Sequence, residues 1–379
     1  MDLDIHYPAV SDLRERARRR VPHFVFEYLD SATGIEDQHH RNREALRAIQ
    51  FWPGILKGTV NVDLSTRFLD RDYPMPFGCA PVGMSGIMWP GAEKKISTAC
   101  AAEGIPYCMS NVATVTPEVL TPTIGDQGWF QLYTPANREV RNDMMRRARE
   151  AGFHTLVVTV DVPAESRRER QRRADLTIPP KLTPRMLLSM ARCPAWALGT
   201  LREGRPSLKF CEEYWEGDSQ KSSVAHAGII IRGDPHWDML ADIRDQWKGP
   251  MLVKGVQRPE DAQRLVKEGI DGIWVSNHTG RQFDGGPACI DTLPAIRAAL
   301  PDTPIIYDSG VTGGLDILRA LAKGADFVML GRAFHYAVGA FGAKGPGHLI
   351  HILREDMVSC MGQMGVEKLS DLAGQMVET

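Results

Sequence analysis

The run Ser276-Asn277-His278-Thr279-Gly280-Arg281-Gln282-Phe283-Asp284-Gly285 places a proton acceptor and a guanidinium three residues apart. Histidine titrates near neutrality and suits proton abstraction, and an arginine fork matches a carboxylate. A base and an anion clamp therefore arrive together; a structural histidine is the bland alternative. Lys254, in Leu252-Val253-Lys254-Gly255, is a second candidate. It reads either as a Schiff-base nucleophile or as a fixed charge that stabilises an anion. Asp308-Ser309-Gly310-Val311-Thr312-Gly313-Gly314 and Leu330-Gly331-Arg332 are glycine turns whose backbone N–H groups can approach an anion, with Arg332 adding charge. They imply a phosphorylated ligand, against plain turn chemistry.

What would position these groups is a set of eight short apolar runs separated by helix-like segments, the alternation of βα units. The runs are Met75 to Ala80, Pro106 to Ser110, Gly128 to Tyr133, Thr155 to Asp161, Pro250 to Lys254, Gly272 to Asn277, Pro304 to Asp308 and Phe327 to Arg332. Helical patterns between them end at Gly104, Gly152, Gly269 and Gly324. Eight runs predict an α/β fold, a (β/α)8 TIM barrel, with a doubly wound open sheet as the rival. Polar residues follow the runs: Gly83, Ser110, Gln131 with Tyr133, Thr159 with Asp161, Lys254, Asn277 with His278, Asp308 and Arg332. Chemistry in such a barrel sits at the C-terminal strand ends, which favours the barrel.

One domain spanning 1–379 is expected, with an N-terminal helical segment over 1–70 and an insertion over 162–234. The insertion follows strand 4, where roughly 90 residues separate Asp161 from Lys254, far beyond an ordinary βα connection. Its stretch Met186 to Leu201 is apolar, with Arg185, Arg192 and Arg202 around it. A lid over the barrel mouth, an interfacial segment resting on a membrane or partner, and a helix packed on the barrel are the three readings. Near the N-terminus, Asp12 to Asp30 reads as helical and carries the basic run Arg14, Arg16, Arg18, Arg19 and Arg20, which reads as a solvated face.

Composition excludes several classes. Hydrophobic residues make up 43% and charged residues 24%, ordinary globular usage rather than disorder. Lys plus Arg number 45 against 47 Asp plus Glu, so a net charge of -2 leaves no global field to draw in nucleic acid. Seven cysteines without a CxxC suggest neither a disulfide framework nor a zinc site, so no metal is expected and reduced thiols in a cytoplasm fit. No signal peptide and no spanning helix are expected from the pattern. A peripheral contact with the inner membrane face stays open.

Six segments in order resemble one family: APVGMSG at 80 to 86, WFQLY at 129 to 133, LVVTVDVP at 156 to 163, LVKG at 252 to 255, SNHTGRQFDGG at 276 to 286 and DSGVTGGLDILRALAKGADFVMLGRAF at 308 to 334. From about Tyr28 onward the chain resembles the FMN-dependent L-2-hydroxy acid oxidases and dehydrogenases, such as glycolate oxidase, L-lactate dehydrogenase and mandelate dehydrogenase. The resemblance implies oxidation of a small 2-hydroxy acid to the 2-oxo acid, with FMN as cofactor and a quinone, a cytochrome or oxygen as electron acceptor. It implies a homo-oligomer, often a tetramer in this family. By the same resemblance His278 is the base and Asp161 orients its ring. Arg281 and Arg168 clamp the carboxylate with Tyr28, and Tyr133 meets the reacting carbon. Lys254 lies beside the flavin N1 and O2 edge, which favours its electrostatic reading. Pro81, Val82, Gly83, Ser110, Gln131, Thr159 and Ser276 line the ring and ribityl chain, and Asp308, Gly310, Gly331 and Arg332 anchor the ribityl and phosphate.

The chain departs from the family pattern at three positions. Thr312 stands where the family usually carries an arginine against the FMN phosphate. Gly83 replaces a frequent alanine, as in the dehydrogenase branch, and Val112 stands where glycolate oxidase has a tryptophan. The last two enlarge the pocket and point to a substrate larger than glycolate, while the wording near the C-terminus favours a dehydrogenase. The rivals are a flavin-type isopentenyl diphosphate isomerase, which has no use for the carboxylate cluster, a flavin-binding module without turnover, an oxygen-using 2-hydroxy acid oxidase, and a relative that modifies an unusual substrate.

Overall fold

A computed structural model of the chain describes residues 2–176, 182–214, 233 and 235–377. The parts of the predicted insertion at 177–181, 215–232 and 234 lie outside the described residues.

Four helices open the chain: α1 (Leu3–His6), α2 (Val10–Arg20), α3 (His23–Asp30) and α4 (Asp37–Ala48). A short antiparallel hairpin, β1 (Thr66–Phe68) and β2 (Arg71–Tyr73), precedes the barrel. The eight predicted runs become eight parallel strands: β3 (Phe77–Cys79), β4 (Tyr107–Ser110), β5 (Gly128–Leu132), β6 (Thr155–Thr159), β7 (Met251–Val256), β8 (Gly272–Val275), β9 (Ile305–Tyr307) and β10 (Phe327–Leu330). They close in the order β10-β3-β4-β5-β6-β7-β8-β9, so the fold is the (β/α)8 barrel. The four glycines that end the helical patterns all have positive φ, as helix stops require.

Two apolar layers hold the barrel. Side chains pointing inward, among them Cys108, Trp129, Val157, Leu252, Trp274, Ile306 and Met329, fill the interior. Phe68 and Tyr73 of the hairpin join this inner layer, where Phe68 meets Trp129 and Phe327 at ring distances of 6.1 and 5.2 Å. The larger outer layer packs helices on strands and is continuous with the N-terminal helices.

Asp12 to Asp30 is helical, in two pieces. The break falls at Val21-Pro22, where proline disfavours a helical residue before it. The basic run is likewise not a uniformly solvated face. Arg16 donates from Nε to Ala340 O at 3.1 Å, Arg20 to Gly339 O at 3.2 Å, and Arg14 pairs with Asp30 at 2.7 Å. Arg16 and Arg20 thereby dock α2 along the helix Arg332–Phe341 that follows β10, and Arg14 ties it to α3.

Candidate active site

The polar groups at the strand ends converge on the barrel mouth. His278 follows β8 at the start of three successive left-handed residues, with φ of +53, +55 and +72 at His278, Thr279 and Gly280. Such backbone is costly and must be held. Ser276 Oγ accepts from His278 N at 3.1 Å, Ser309 Oγ from Thr279 N at 3.1 Å, and Gly280 O from Thr33 N at 3.0 Å. The imidazole is thereby aimed at Asp161, whose two carboxylate oxygens each lie 3.0 Å from Nδ1. Burial pushes the His278 pKa below its usual value, the Asp161 charge offsetting part of that. Burial alone would raise the Asp161 carboxyl, but His278 and Lys254 hold it below the carboxylate range. The pair is then a neutral imidazole donating Nδ1–H to a carboxylate. Its Nε2 makes no hydrogen bond among the described residues and keeps a lone pair for a proton.

Lys254 projects from β7. Its Nζ donates to Ser276 Oγ at 2.7 Å and pairs with Asp308 Oδ2 at 3.2 Å. Burial opposes the ammonium, yet Asp308 and Asp161 outweigh it and raise the Lys254 pKa, so this buried side chain stays charged. Trp274 Nε1 donates to the same Asp308 oxygen at 2.9 Å and fixes the carboxylate from the barrel floor.

The clamp is built largely by segments outside the barrel. Arg281 donates to Leu29 O at 2.9 Å and Tyr28 O at 2.6 Å, which leaves its other N–H groups for an anion. Burial, with the charges of Arg168 and Arg332, pulls the Arg281 pKa down to about 9, and an incoming carboxylate would relieve that repulsion. Arg168, at φ +46, is placed by the helix Glu169–Arg173 behind it. Arg170 of that helix pairs with Glu27, Asp30 and Glu36 at 2.7, 2.9 and 3.1 Å. Tyr28 donates its hydroxyl to Gly83 O at 3.0 Å. The Tyr133 hydroxyl is pushed up to about 12 by burial and Asp161, so it is a neutral donor.

A second set of polar atoms at the mouth is left without partners. Ser110 Oγ donates to Gln131 Oε1 at 2.6 Å, but Gln131 Nε2, Thr159 Oγ1 and Arg332 Nε are buried and have no partner among the described residues. Buried polar atoms of a folded protein are normally satisfied. Orphans on β5, β6 and the first residue of the helix after β10 mark where a polar ligand would lie, and they fit a group with a heteroaromatic edge, hydroxyls and a phosphate. Pro81, Val82 and Gly83 form the turn after β3, where Ser85 Oγ donates to Val82 O at 2.9 Å. Ser309 and Gly310 have φ of +87 and +98, and Gly331 opens the helix after β10. All the residues expected at the site therefore gather at one end of the barrel. Thr312 turns aside: its N and Oγ1 both donate to Asp316 Oδ2, at 2.9 and 2.8 Å.

Sequence reading alone missed three supports. Asp284 accepts from Ile35 N at 3.0 Å and Gln38 N at 2.9 Å, tying the His278 loop to α4. Asn42 and Asn277 exchange hydrogen bonds at 2.9 Å. Gly255, at φ +106, is the third: a Cβ there would lie 2.5 Å from Asp161 Cβ, so only glycine lets Asp161 reach His278. It follows the Lys254 bulge in β7, and LVKG in the sequence was its signal.

A parallel barrel with an orphan-lined mouth, a buried lysine and a His–Asp pair defines a flavin-dependent oxidoreductase. The model of the family described as FMN-dependent dehydrogenase matches residues 17–379, and the chain belongs to that family. It is 37% identical over 377 residues to an L-lactate dehydrogenase of Xanthobacter autotrophicus, covering 96% of this chain and 94% of that one. An L-lactate dehydrogenase of Pseudomonas aeruginosa is 36% identical, with 96% of each chain covered. The crystal structure of the monotopic membrane protein (S)-mandelate dehydrogenase superposes with a TM-score of 0.92 at 30% identity, covering 98% of this chain and 99% of that one. A mandelate oxidase structure superposes with a TM-score of 0.79 at 27% identity, with 98% of each chain covered. The protein is accordingly an FMN-dependent dehydrogenase of 2-hydroxy acids.

Proposed function

We propose that the protein oxidises an L-2-hydroxy acid of lactate size or larger to the 2-oxo acid and passes the electrons to a quinone or a similar acceptor. The observation that carries this reading is His278, its Nδ1 held by both oxygens of Asp161 and its Nε2 lone pair uncommitted. Arg281 and Arg168 hold the substrate carboxylate, and the Tyr28 hydroxyl closes the clamp by turning from Gly83 O to the carboxylate. Tyr133 donates to the oxygen on the reacting carbon. His278 then takes one proton, either from the hydroxyl as the Cα hydrogen leaves with its electron pair, or from Cα itself. Asp161 stabilises the imidazolium that results.

FMN, when bound, supplies the two-electron acceptor. Pro81, Val82, Gly83, Ser110, Gln131, Thr159 and Ser276 would hold its ring and ribityl chain, with Lys254 as the positive charge facing the ring. Asp308, Gly310, Gly331 and Arg332 would hold the ribityl end and phosphate. The small Gly83 and the Val112 beside it support an acid larger than glycolate.

The insertion supports a membrane-facing acceptor. Its helices Pro184–Ala191 and Pro194–Glu203 bury Met186 and Trp196, and Trp196 Nε1 donates to Ile87 O at 2.9 Å. Their other faces leave Leu187, Leu188, Leu198 and Leu201 exposed at 53, 54, 55 and 79%. No helix among the described residues is long and apolar enough to cross a membrane, so the contact proposed is peripheral.

Anaerobic absorbance titration of the FMN-loaded protein with L-lactate, L-mandelate, glycolate and their D-forms tests the reaction. Bleaching by one L-acid is expected, with slow recovery in air. Fast recovery would make oxygen the acceptor, and no bleaching by any acid would overturn the substrate class. His278→Gln should keep flavin bound and abolish bleaching. Serine at Leu188 and Leu201 should release the protein from anionic vesicles; unchanged binding would remove the contact.

A further inference from the structure

The barrel mouth holds more positive charge near its glycine turns than its own carboxylates neutralise. One turn of α4 lies directly against those turns. A Cβ on Gly280 would sit 2.8 Å from His39 N, and one on Gly310 would sit 3.1 Å from Asn42 O and from Leu46 Cδ1. His39 and Arg43, four residues apart, share a face of that turn. Arg332, at the start of the helix after β10, donates from Nη1 to His39 Nδ1 at 3.1 Å and from Nη2 to Ser31 O at 3.2 Å. Burial and the charges of Arg332 and Arg43 push His39 down to about 3, so it accepts as a neutral ring and neutralises nothing.

Arg43 is the anomaly. Its Nε is buried and unpartnered, as is that of Arg332, and neither guanidinium makes an ion pair among the described residues. The carboxylate whose charge reaches Arg43 is Asp316, and it is already taken. Thr312 donates twice to its Oδ2, and Arg319 Nη1 donates to Oδ1 at 2.8 Å. Buried charge without a partner is expensive. Arg43, half-buried with its Nε covered, and Arg332, at the first turn of the helix Arg332–Phe341, both bear on His39 and have no counter-charge of their own among the described residues. An anion would resolve that arrangement, and a phosphate monoester dianion has both the charge and the oxygens for two forks. Thr312 adds nothing to this seat, since both of its donors are spent on Asp316.

We propose that Arg43 of α4 is a phosphate ligand of FMN, acting beside Arg332 and supplying the second cation that position 312 does not. The proposal rests on the FMN reading of the site and adds to it a residue from outside the barrel. FMN binding would then tie α4 to the barrel through the phosphate, and the protein would discriminate FMN from riboflavin largely at this one seat.

The test uses the full-length chain stripped of flavin and titrated with FMN and with riboflavin, read by flavin fluorescence. Arg43→Met should weaken FMN about tenfold or more, with a flatter salt dependence, and change riboflavin less than about twofold. Arg43→Lys should recover part of the FMN affinity. Inorganic phosphate alone should raise the melting temperature of the stripped wild-type chain and leave that of Arg43→Met unmoved. Equal loss for both flavins would make Arg43 a structural residue and overturn the proposal, as would unchanged FMN affinity. If Arg43→Met does not fold, Arg43→Gln, which keeps a polar head without charge, is read against the same outcomes. Failure of the wild-type chain to bind FMN would defeat the cofactor reading itself, an outcome distinct from any result at Arg43.

Discussion

Replacing Gly255 by alanine tests how the His278–Asp161 pair is built without touching either partner. The new Cβ would meet Asp161 Cβ at 2.5 Å and Asp161 Cγ at 2.6 Å. Relief to an ordinary contact requires Asp161 to retreat by about 1 Å, and a misplacement of that size costs about 100-fold in rate when it spoils a catalytic geometry. The hydrogen bond most exposed to this retreat is the 3.0 Å contact to His278 Nδ1. Alanine must also adopt φ +106, a strain of about 1–3 kcal/mol that should lower the melting temperature by about 1–4 °C. The assay is anaerobic stopped-flow reduction of bound flavin by the best acid, with flavin affinity and melting temperature as controls. Flavin reduction about 100-fold slower with flavin still bound is the expected result. In an Asp161→Asn background the same change should cost little more, since the pair is already broken. A Gly255→Ala protein that reduces its flavin at the wild-type rate would refute the claim that Asp161 orients the base.

Two further outcomes follow from the geometry. A Cβ on Gly83 would lie 2.7 Å from Val112 Cγ2, and Met84 N–Val112 O at 2.9 Å keeps the two turns from parting. Gly83→Ala should therefore lose about 1–3 kcal/mol of stability, and adding Val112→Ala should restore it, both read by chemical denaturation; a single mutant as stable as wild type would contradict the contact. The second outcome concerns acid. Burial pushes His39 down to about 3 and both His154 and His335 to about 4, so these rings stay neutral in the folded chain. The unfolded chain protonates them below about 6.5, binds more protons, and stability falls as pH drops from there toward 4. His335, only 1% exposed, should contribute about 3 kcal/mol of that fall, and His335→Gln should flatten it by about one proton in denaturation at stepped pH. An unchanged slope would show that His335 is not buried as a neutral ring.

The eight strands were legible because each is a short apolar run buried on both faces, and a parallel barrel leaves that pattern in every strand. His278, Arg281, Lys254 and Asp308 were legible because strand ends are where a barrel keeps its chemistry. The supports behind them were not. Arg170 reaches Glu27, Asp30 and Glu36 across more than 130 positions of chain, and Asn42 reaches Asn277 across 235. Spacing along the sequence carries no trace of such pairs. The kink at Pro22 did have a local signal, since proline restrains the residue before it. The docking of Arg16 and Arg20 had none, because their acceptors are backbone carbonyls on a distant helix.

The hairpin under the barrel has a kinetic consequence. Phe68 and Tyr73 are 3% and 2% exposed and stack into the inner layer beneath Trp129 and Phe327, so the floor is stoppered by aromatic rings. Among the described residues that leaves entry at the other end, where His278 waits. A hydroxy acid and an electron acceptor that both enter at this end would use it by turns, the first product departing before the second reactant arrives. Initial-rate plots at several acceptor concentrations should accordingly run parallel, the signature of a double-displacement enzyme.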